Sequence, residues 1–354
     1  MSETAFWHQA ILAWYEENKR DLPWRNISDP YRIWVSEILL QQTRVTQCRA
    51  YYKRFLEAFP QVENLAEASE DDVLRIWQGL GYYSRARNMH AAAREIVKVG
   101  GFPRTFAKVR KLKGVGDYTA AAICSFAFGL PYAVVDGNVY RVLSRFFGIA
   151  TPIDTTCGKR EFAKLAQSLL PNAQIADYNQ ALMDFGANQC VPFRPDCRSC
   201  VLVSSCAAWA ENRVGQLPVK AHRRKVSERF FVYVLVETPQ GLWLHRREKG
   251  DIWQGLYEVP LIEFDHAPNA SEVLAHPFVE RFSHKMKVRE LIHGLKHELT
   301  HRRIWADGFA LTLCEPTPTP NGFLLVDIND LENYAVPRLV EILLQRWQAH
   351  KTNL

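Results

Sequence analysis

Four of the chain's eight cysteines fall within seventeen residues, at Cys190, Cys197, Cys200 and Cys206, in the spacing C-x6-C-x2-C-x5-C. Thiols this dense in one short loop suit metal rather than a disulfide framework. A single compact segment can wrap a cuboidal iron-sulfur cluster, whereas zinc usually draws two close pairs from separated turns. The spacing therefore favours a [4Fe-4S] cluster over zinc, with four unligated core cysteines as the remaining alternative. Arg194 and Arg198 lie in the same loop and can face phosphates. Nothing in the loop offers a substrate-binding or redox partner, so its expected role is structural or positioning.

Two further segments carry chemistry. Leu112-Lys113-Gly114-Val115-Gly116 places glycines at both ends of a tight turn between helical segments. Backbone N–H groups of Gly114 and Gly116 can then approach a phosphate at the positive end of the following helix, although Gly-x-Gly also serves as an ordinary helix stop. Twenty residues after Gly116, Val134-Val135-Asp136-Gly137-Asn138 sets a carboxylate after an apolar stretch and before a helix. Asp136 reads either as a site carboxylate or as a helix N-cap. Glu37 stands among apolar neighbours on a helix, where burial raises a carboxyl pKa and keeps the group protonated near neutral pH; the alternative is an exposed helix glutamate.

The elements that position these residues follow from periodicity. From Phe6 to about Gln189 the apolar spacing is helical: Phe6, Trp7, Ala10, Ile11, Trp14 and Tyr15 recur on one face, as do Tyr31, Trp34, Val35, Ile38 and Leu39 after the cap and proline of Ser28-Asp29-Pro30. Ser69 and Asp72 form a capping pair ahead of another helix, and helices are expected at 86–99, 118–128, 139–147 and 158–170. No strand is expected before residue 225. Residues 212–228, rich in Lys, Arg and His, read as a linker whose basic side chains lie either near phosphates or in a solvated hinge. Beyond it, 230–237, 242–246 and 302–313 read as strands, with turns at Pro239-Gln240-Gly241 and Asp307-Gly308, and helical patterns return at 271–274 and 337–347. The expected architecture is an all-α domain over 1–211 and an α+β domain over 229–354.

Length and composition agree with this division. A chain of 354 residues accommodates two domains, and 47% hydrophobic with 23% charged residues excludes a disordered or fibrous class. No apolar run approaches the roughly 20 residues of a membrane span, and the N-terminus lacks the pattern of a signal or transit peptide. A soluble monomer of the bacterial cytoplasm, associated with the nucleoid, is the expectation. The formal charge of +6 favours a polyanionic partner without proving one.

Together, the hairpin, Asp136 and the four-cysteine loop resemble the helix-hairpin-helix glycosylase superfamily, in its iron-sulfur branch containing endonuclease III and MutY. Endonuclease III-like enzymes carry a lysine two positions after the second hairpin glycine, which forms a Schiff base with the sugar. Here that position is Tyr118. Leu22-Pro23-Trp24-Arg25, Trp34 to Thr43, and Gly79 to Asn88 resemble the MutY pattern almost letter for letter, so the resemblance covers nearly the whole first domain.

The resemblance implies a monofunctional glycosylase that removes adenine mispaired with 8-oxoguanine or guanine in double-stranded DNA, within base excision repair. Adenine is a poor leaving group, and its departure leaves a positive sugar. A proton donor and an ionised carboxylate flanking that sugar meet both needs. By resemblance, Glu37 protonates adenine and activates water. Asp136 stabilises or covalently traps the oxocarbenium ion, and Tyr118 and Asn138 support that charge. Trp24, Arg25 and Gln180 match the adenine pocket. Gln42 and Tyr82 match residues inserted near the lesion while adenine is flipped out, with a plain core role as the alternative for Tyr82.

The segment 242–260, with Trp253, Gly255, Leu256, Tyr257 and Pro260, resembles the Nudix-like C-terminal domain of this family. Its glutamate-rich metal-binding helix is not visible in the sequence, so nucleotide hydrolysis is not expected. The family reads oxidised guanine with a Phe-Ser-His loop preceded by a histidine. His297-Glu298-Leu299-Thr300-His301 fits by context and is preferred to the literal Phe282-Ser283-His284; Thr300 keeps a hydroxyl for a purine edge, with His301 beside it. Rival readings are a pyrimidine-damage glycosylase with lyase activity, opposed by Tyr118, and a noncatalytic damage-binding protein, opposed by intact Glu37 and Asp136.

Overall fold

A computed structural model describes residues 3–221, 226–282, 286–315 and 317–352. Ser283 and His284 of the alternative recognition loop lie outside the described residues. The chain divides into two compact units, one formed by 1–67 and 88–223, the other by 68–87 and 224–354. No helix among the described residues is long and apolar enough to cross a membrane.

The first unit is helical. Its long helices include Glu3–Asn18, Pro30–Leu40, Val45–Ala58, Asp117–Phe128, Gly137–Phe146, Thr156–Ser168 and Ile175–Asn188. The caps read from sequence form: Asp29 accepts from the backbone N–H groups of Tyr31 and Arg32 at the start of Pro30–Leu40, with proline in the first turn. The apolar stripe Trp7, Ile11, Trp14 and Tyr15 packs with Val139, Leu143, Phe146, Tyr178 and Phe185 in one core. Aromatic bulk dominates it; Trp7 meets Phe146 at 4.5 Å between ring centroids, and its indole N–H donates to Tyr178 at 2.7 Å.

The second unit also contains a capped helix, Glu70–Trp77, where Ser69 accepts from the Asp72 backbone N–H at 3.1 Å. Its sheet has seven strands: β1 (Ser227–Thr238), β2 (Gly241–Arg246), β3 (Tyr257–Glu258), β4 (Leu261–Phe264), β5 (Met286–Glu298), β6 (Arg302–Leu313) and β7 (Leu324–Val326). The order is β3-β2-β1-β6-β5, with β4 on β1 and β7 on β2. The central pair β1 and β6 is parallel, and the other pairings are antiparallel.

β1 is buried on both faces and so reads as a continuous apolar run rather than an alternation. Phe231, Tyr233 and Leu235 pack towards the C-terminal helix Arg338–Thr352 through Leu339, Val340 and Leu343. Val232, Val234 and Val236 face the opposite core, with Val273 and Val279 of the two short helices Ala270–Leu274 and Pro277–Glu280.

Three features differ from expectation. The strand β5 was not foreseen, because most of its residues are exposed and charged and it carries no apolar period; two register shifts against β6 further blur it. Asp307-Gly308 is not a turn but the middle of β6, where Asp307 accepts from the Gly294 backbone N–H at 2.7 Å. Finally, Ser227 and Glu228 belong to β1 rather than to a linker: they pair with Arg302 and Arg303 of β6, and the Glu228 charge is matched by Arg303. The earlier part of that basic stretch is anchored as well. Arg213 donates to the Gly148 carbonyl at 2.6 Å, and Leu217 is buried with its carbonyl taken by Arg145.

Gly308 is required by a close approach: a Cβ there would lie 2.5 Å from the end of the Leu343 side chain. Because that neighbour is a flexible tip, Gly308→Ala is expected to cost about 1–2 kcal/mol of stability. Adding Leu343→Val should recover part of it, as a double-mutant cycle by denaturant unfolding will show.

Candidate active site

The helix Pro30–Leu40 delivers Glu37 into the first unit's interior, where it is 4% exposed. Burial pushes its carboxyl up to about 7; the hydrogen bond from Tyr118 and the charge of Arg25 pull it down, and Asp136 adds to the rise. Tyr118, in the first turn of Asp117–Phe128, donates its hydroxyl to Glu37 Oε2 at 2.7 Å. Its hydroxyl is thus engaged by Glu37.

Asp136 is the N-cap of Gly137–Phe146 and lies within electrostatic range of Glu37. It accepts from the Val139 backbone N–H at 2.8 Å and from Asn138 Nδ2 at 2.8 Å. Burial raises its pKa, while these donors and Arg141 oppose the rise. The apolar run Val134-Val135 ends in the loop that turns into this helix.

A small cavity of about 30 Å³ gathers Trp24, Arg25, Glu37 and Gln180. It holds a water or two and not a purine, so a base requires these walls to part. Trp24 packs edge-on against Tyr52 at 5.3 Å. Gln180 accepts from the Tyr15 hydroxyl at 3.0 Å, and Arg25 donates to buried Asp184 at 2.9 Å, leaving its Nε buried and unpartnered. Asp184 and Tyr15 were not singled out from sequence. An ionisable residue four positions after Gln180 in the apolar run Ala181 to Ala187 was the available signal.

The hairpin forms between the short helix Phe106–Val109 and Asp117–Phe128. Gly114 has φ +78°, and a Cβ there would sit 2.8 Å from Asn88 Cβ, whereas nothing crowds Gly116, which caps the helix. Both glycines are exposed, leaving backbone N–H groups open to an incoming phosphate. Gln42 is also exposed, with φ +58°, just beyond Pro30–Leu40.

The four cysteines lie together: each of the six pairs among Cys190, Cys197, Cys200 and Cys206 is close enough to interact electrostatically. Burial pushes the Cys200 thiol up to about 11 when no metal compensates its charge. Among the described residues, no three His, Cys, Asp or Glu side chains converge as one metal ion requires. Arg145, 3% exposed, donates to Cys190 Sγ at 3.4 Å and to the Val191 and Pro192 carbonyls at 2.7 and 3.0 Å. Arg141 links this loop to the site, donating to the Cys190 carbonyl at 2.7 Å and to Asn138 Oδ1 at 2.8 Å.

In the second unit a larger cavity, about 690 Å³, is lined by Tyr82, Trp253, His297, Thr300, His301 and Arg302 among others. Its size suits a nucleobase or nucleoside. Tyr82 is 42% exposed, which removes the core reading, has φ +49°, and its hydroxyl meets that of Thr300. Thr300 and His301 form the centre of a turn closed by the Leu299 N–H donating to the Arg302 carbonyl at 2.8 Å. Burial and the charge of Arg338 lower the His297 pKa.

Comparison with known proteins gives the family. Residues 35–171 match the HhH-GPD superfamily of base excision DNA repair proteins, and 232–346 match the NUDIX domain. The adenine DNA glycosylase of Buchnera aphidicola subsp. Baizongia pistaciae is 32% identical over 306 residues, covering 85% of each chain. The chain belongs to the adenine DNA glycosylase family. The Mus musculus adenine DNA glycosylase is 42% identical over 236 residues, 64% of this chain and 46% of that one. Among solved structures, a thermostable thymine-DNA glycosylase aligns with TM-score 0.55 and 30% identity over 59% of this chain and 97% of its own. An endonuclease III–DNA complex, 21% identical with TM-score 0.51 over 60% of this chain and 99% of its own, shares the fold. Family membership makes this protein a DNA glycosylase, and the expected order, a helix-hairpin-helix domain followed by a Nudix-like α+β domain, holds.

Two outcomes follow from the geometry. Gly186 in Ile175–Asn188 sits where a Cβ would fall 2.7 Å from Asn138 Cβ and 2.9 Å from its carbonyl oxygen. Because backbone is struck, Gly186→Ala is expected to destabilise by about 2–3 kcal/mol and to slow catalysis by displacing the Asp136 loop; thermal unfolding and single-turnover rates check both. The raised Glu37 pKa also sets a pH dependence. With Glu37 as the expected proton donor, excision should fall as pH rises through about 7. A buried carboxyl with a raised pKa withdraws stability as pH climbs from the unfolded value towards about 7. Glu37→Gln should therefore stabilise the fold by up to about 3 kcal/mol at pH 8 and by little at pH 4.

Proposed function

We propose that this glycosylase is monofunctional and hydrolyses the N-glycosidic bond of adenine paired with 8-oxoguanine or guanine in duplex DNA. The observation that carries the reading is the pair of neighbouring carboxyls, both raised by burial: Glu37 to about 7, and Asp136 with backbone and amide donors opposing its rise.

On this reading Glu37 gives its proton to a ring nitrogen of adenine as the glycosidic bond breaks, and the bond's electron pair leaves with the base. Asp136 stabilises or covalently captures the positive sugar. The Glu37 carboxylate then takes a proton from water, whose oxygen bonds to C1′, giving an abasic site and free adenine. The Tyr118 hydroxyl steadies the ionised Glu37 between these proton transfers. With no amine at that position, the Schiff-base route to strand cleavage lacks its nucleophile.

Trp24, Arg25 and Gln180 supply walls and polar contacts for the adenine, and the unpartnered Arg25 Nε offers a donor to it. Gly114 and Gly116 take the DNA backbone. Gln42, in the first unit, and Tyr82, in the second, are each taken as residues that insert near the lesion. Thr300 and His301, in the 690 Å³ cavity, read the opposing purine. The catalytic part is the unit formed by 1–67 and 88–223, and the reading part the unit formed by 68–87 and 224–354. The protein acts as a monomer.

The four thiols fit a [4Fe-4S] cluster. Such a cluster takes one thiolate for each iron, and the four sulfurs are mutual neighbours in one loop. Bound there, it supplies structural rigidity and positive charge that offsets the thiolates. Arg145 and Arg141 hold the loop to the rest of the site.

The test is a labelled duplex with adenine opposite 8-oxoguanine, assayed for abasic sites with and without alkali. Breaks at the adenine that require alkali, and a rate at least about 100-fold lower in Glu37→Gln, are expected. Adenine retained under every pairing would falsify the reading, and strand breaks without alkali, trapped by borohydride, would restore a lyase.

A further inference from the structure

The cavity that reads the opposing purine has a carboxylate in its wall that the catalytic account leaves unused. Asp251 takes Arg229 through both of its Nη atoms at 2.7 and 2.8 Å, Arg247 at 2.8 Å and Arg302 at 2.9 Å. The surrounding cations hold its carboxyl well below the usual range, although burial opposes them.

These three arginines are not equally dependent on Asp251. Arg229 also binds Glu263, at 2.6 Å through each of Nε and Nη2, and Arg247 also binds Glu258 at 2.5 Å and the Ile252 carbonyl at 2.9 Å. Among the described residues, Asp251 is the only acceptor for the Arg302 side chain. Arg302 closes the turn that carries Thr300 and His301, and it lines the same cavity.

The chemistry of the two purines makes this sequestration matter. Guanine offers N7 and O6 as a pair of acceptors, the edge that an arginine fork grips most often. Oxidation at C8 places a hydrogen on N7 and removes one of the two. A free guanidinium in the cavity therefore favours the undamaged base.

We infer that Asp251 is a specificity-determining residue: by occupying Arg302, it prevents a cationic fork in the cavity from recognising normal guanine. Discrimination then comes from a suppressed wrong contact as well as from a favourable right one. This rests on the cavity's assignment to the opposing purine.

The experiment compares single-turnover excision and duplex affinity for adenine opposite 8-oxoguanine and opposite guanine. In Asp251→Asn, the preference for 8-oxoguanine is expected to fall about tenfold, chiefly through tighter binding of the guanine duplex. Arg302→Ala in the same chain should restore the preference, an outcome that a merely structural role does not produce. Asp251→Glu should keep it, and Asp251→Ser replaces the Asn variant if that fails to fold. A preference unchanged in Asp251→Asn, or lowered and not rescued by Arg302→Ala, overturns the inference alone. A wild type without any preference overturns the cavity's assignment, and the inference with it.

Discussion

The structure of the helical unit is organised around one cost, that of keeping a carboxyl in an apolar interior. Four segments converge on Glu37: its own helix, the turn bearing Trp24 and Arg25, the first turn at Tyr118, and the helix carrying Gln180. Burial alone drives the carboxyl towards neutrality, and a single hydroxyl with one nearby guanidinium limits the rise to about 7. Arg25 exerts that influence while its own charge is taken by Asp184, which Arg20 also grips at 2.5 Å. Asp184 thereby anchors a guanidinium that lowers the Glu37 carboxyl.

Asp136 answers to a different constraint. It needs donors rather than dryness, and it receives them from the helix it caps and from Asn138. Asn138 is in turn fixed by Arg141, whose guanidinium also binds the Gly186 carbonyl at 2.5 Å and the Cys190 carbonyl. Buried guanidinium groups are costly unless their hydrogens are taken up, and here the partners are mostly main-chain carbonyls. The cysteine loop, the Gly186 helix and the Asp136 loop consequently share one set of hydrogen bonds.

Much of this was legible in the sequence because it rests on local rules. Asp29-Pro30 and Ser69 announce helix starts, apolar spacing gives the helices, and the chemistry-bearing residues stand in compact motifs. Features set by distant partners were not legible. Strand β5 is charged and exposed along much of its length, so only its pairing with β6 makes it a strand. Asp307-Gly308 has turn composition, yet Gly308 is small because Leu343 crosses above it. Asp184 and Asp251 look like ordinary acids until the arginines that surround them are brought from up to 164 residues away. Tyr118 was read as a missing lysine, and only the fold shows which carboxylate its hydroxyl serves.

The assignment of residues 68–87 to the second unit has an evolutionary consequence. Arg246 binds Glu70 and Asp71 at 3.0 and 2.9 Å, the Val336 N–H donates to Gln78 at 3.1 Å, and Tyr82 forms part of the cavity. A fragment beginning near residue 224 carries the sheet but leaves these partners behind. The C-terminal region is therefore not a cassette that a lineage can gain or shed through one breakpoint. A single cut near residue 224 separates the sheet from a helix and loop of its own unit, encoded more than a hundred codons upstream.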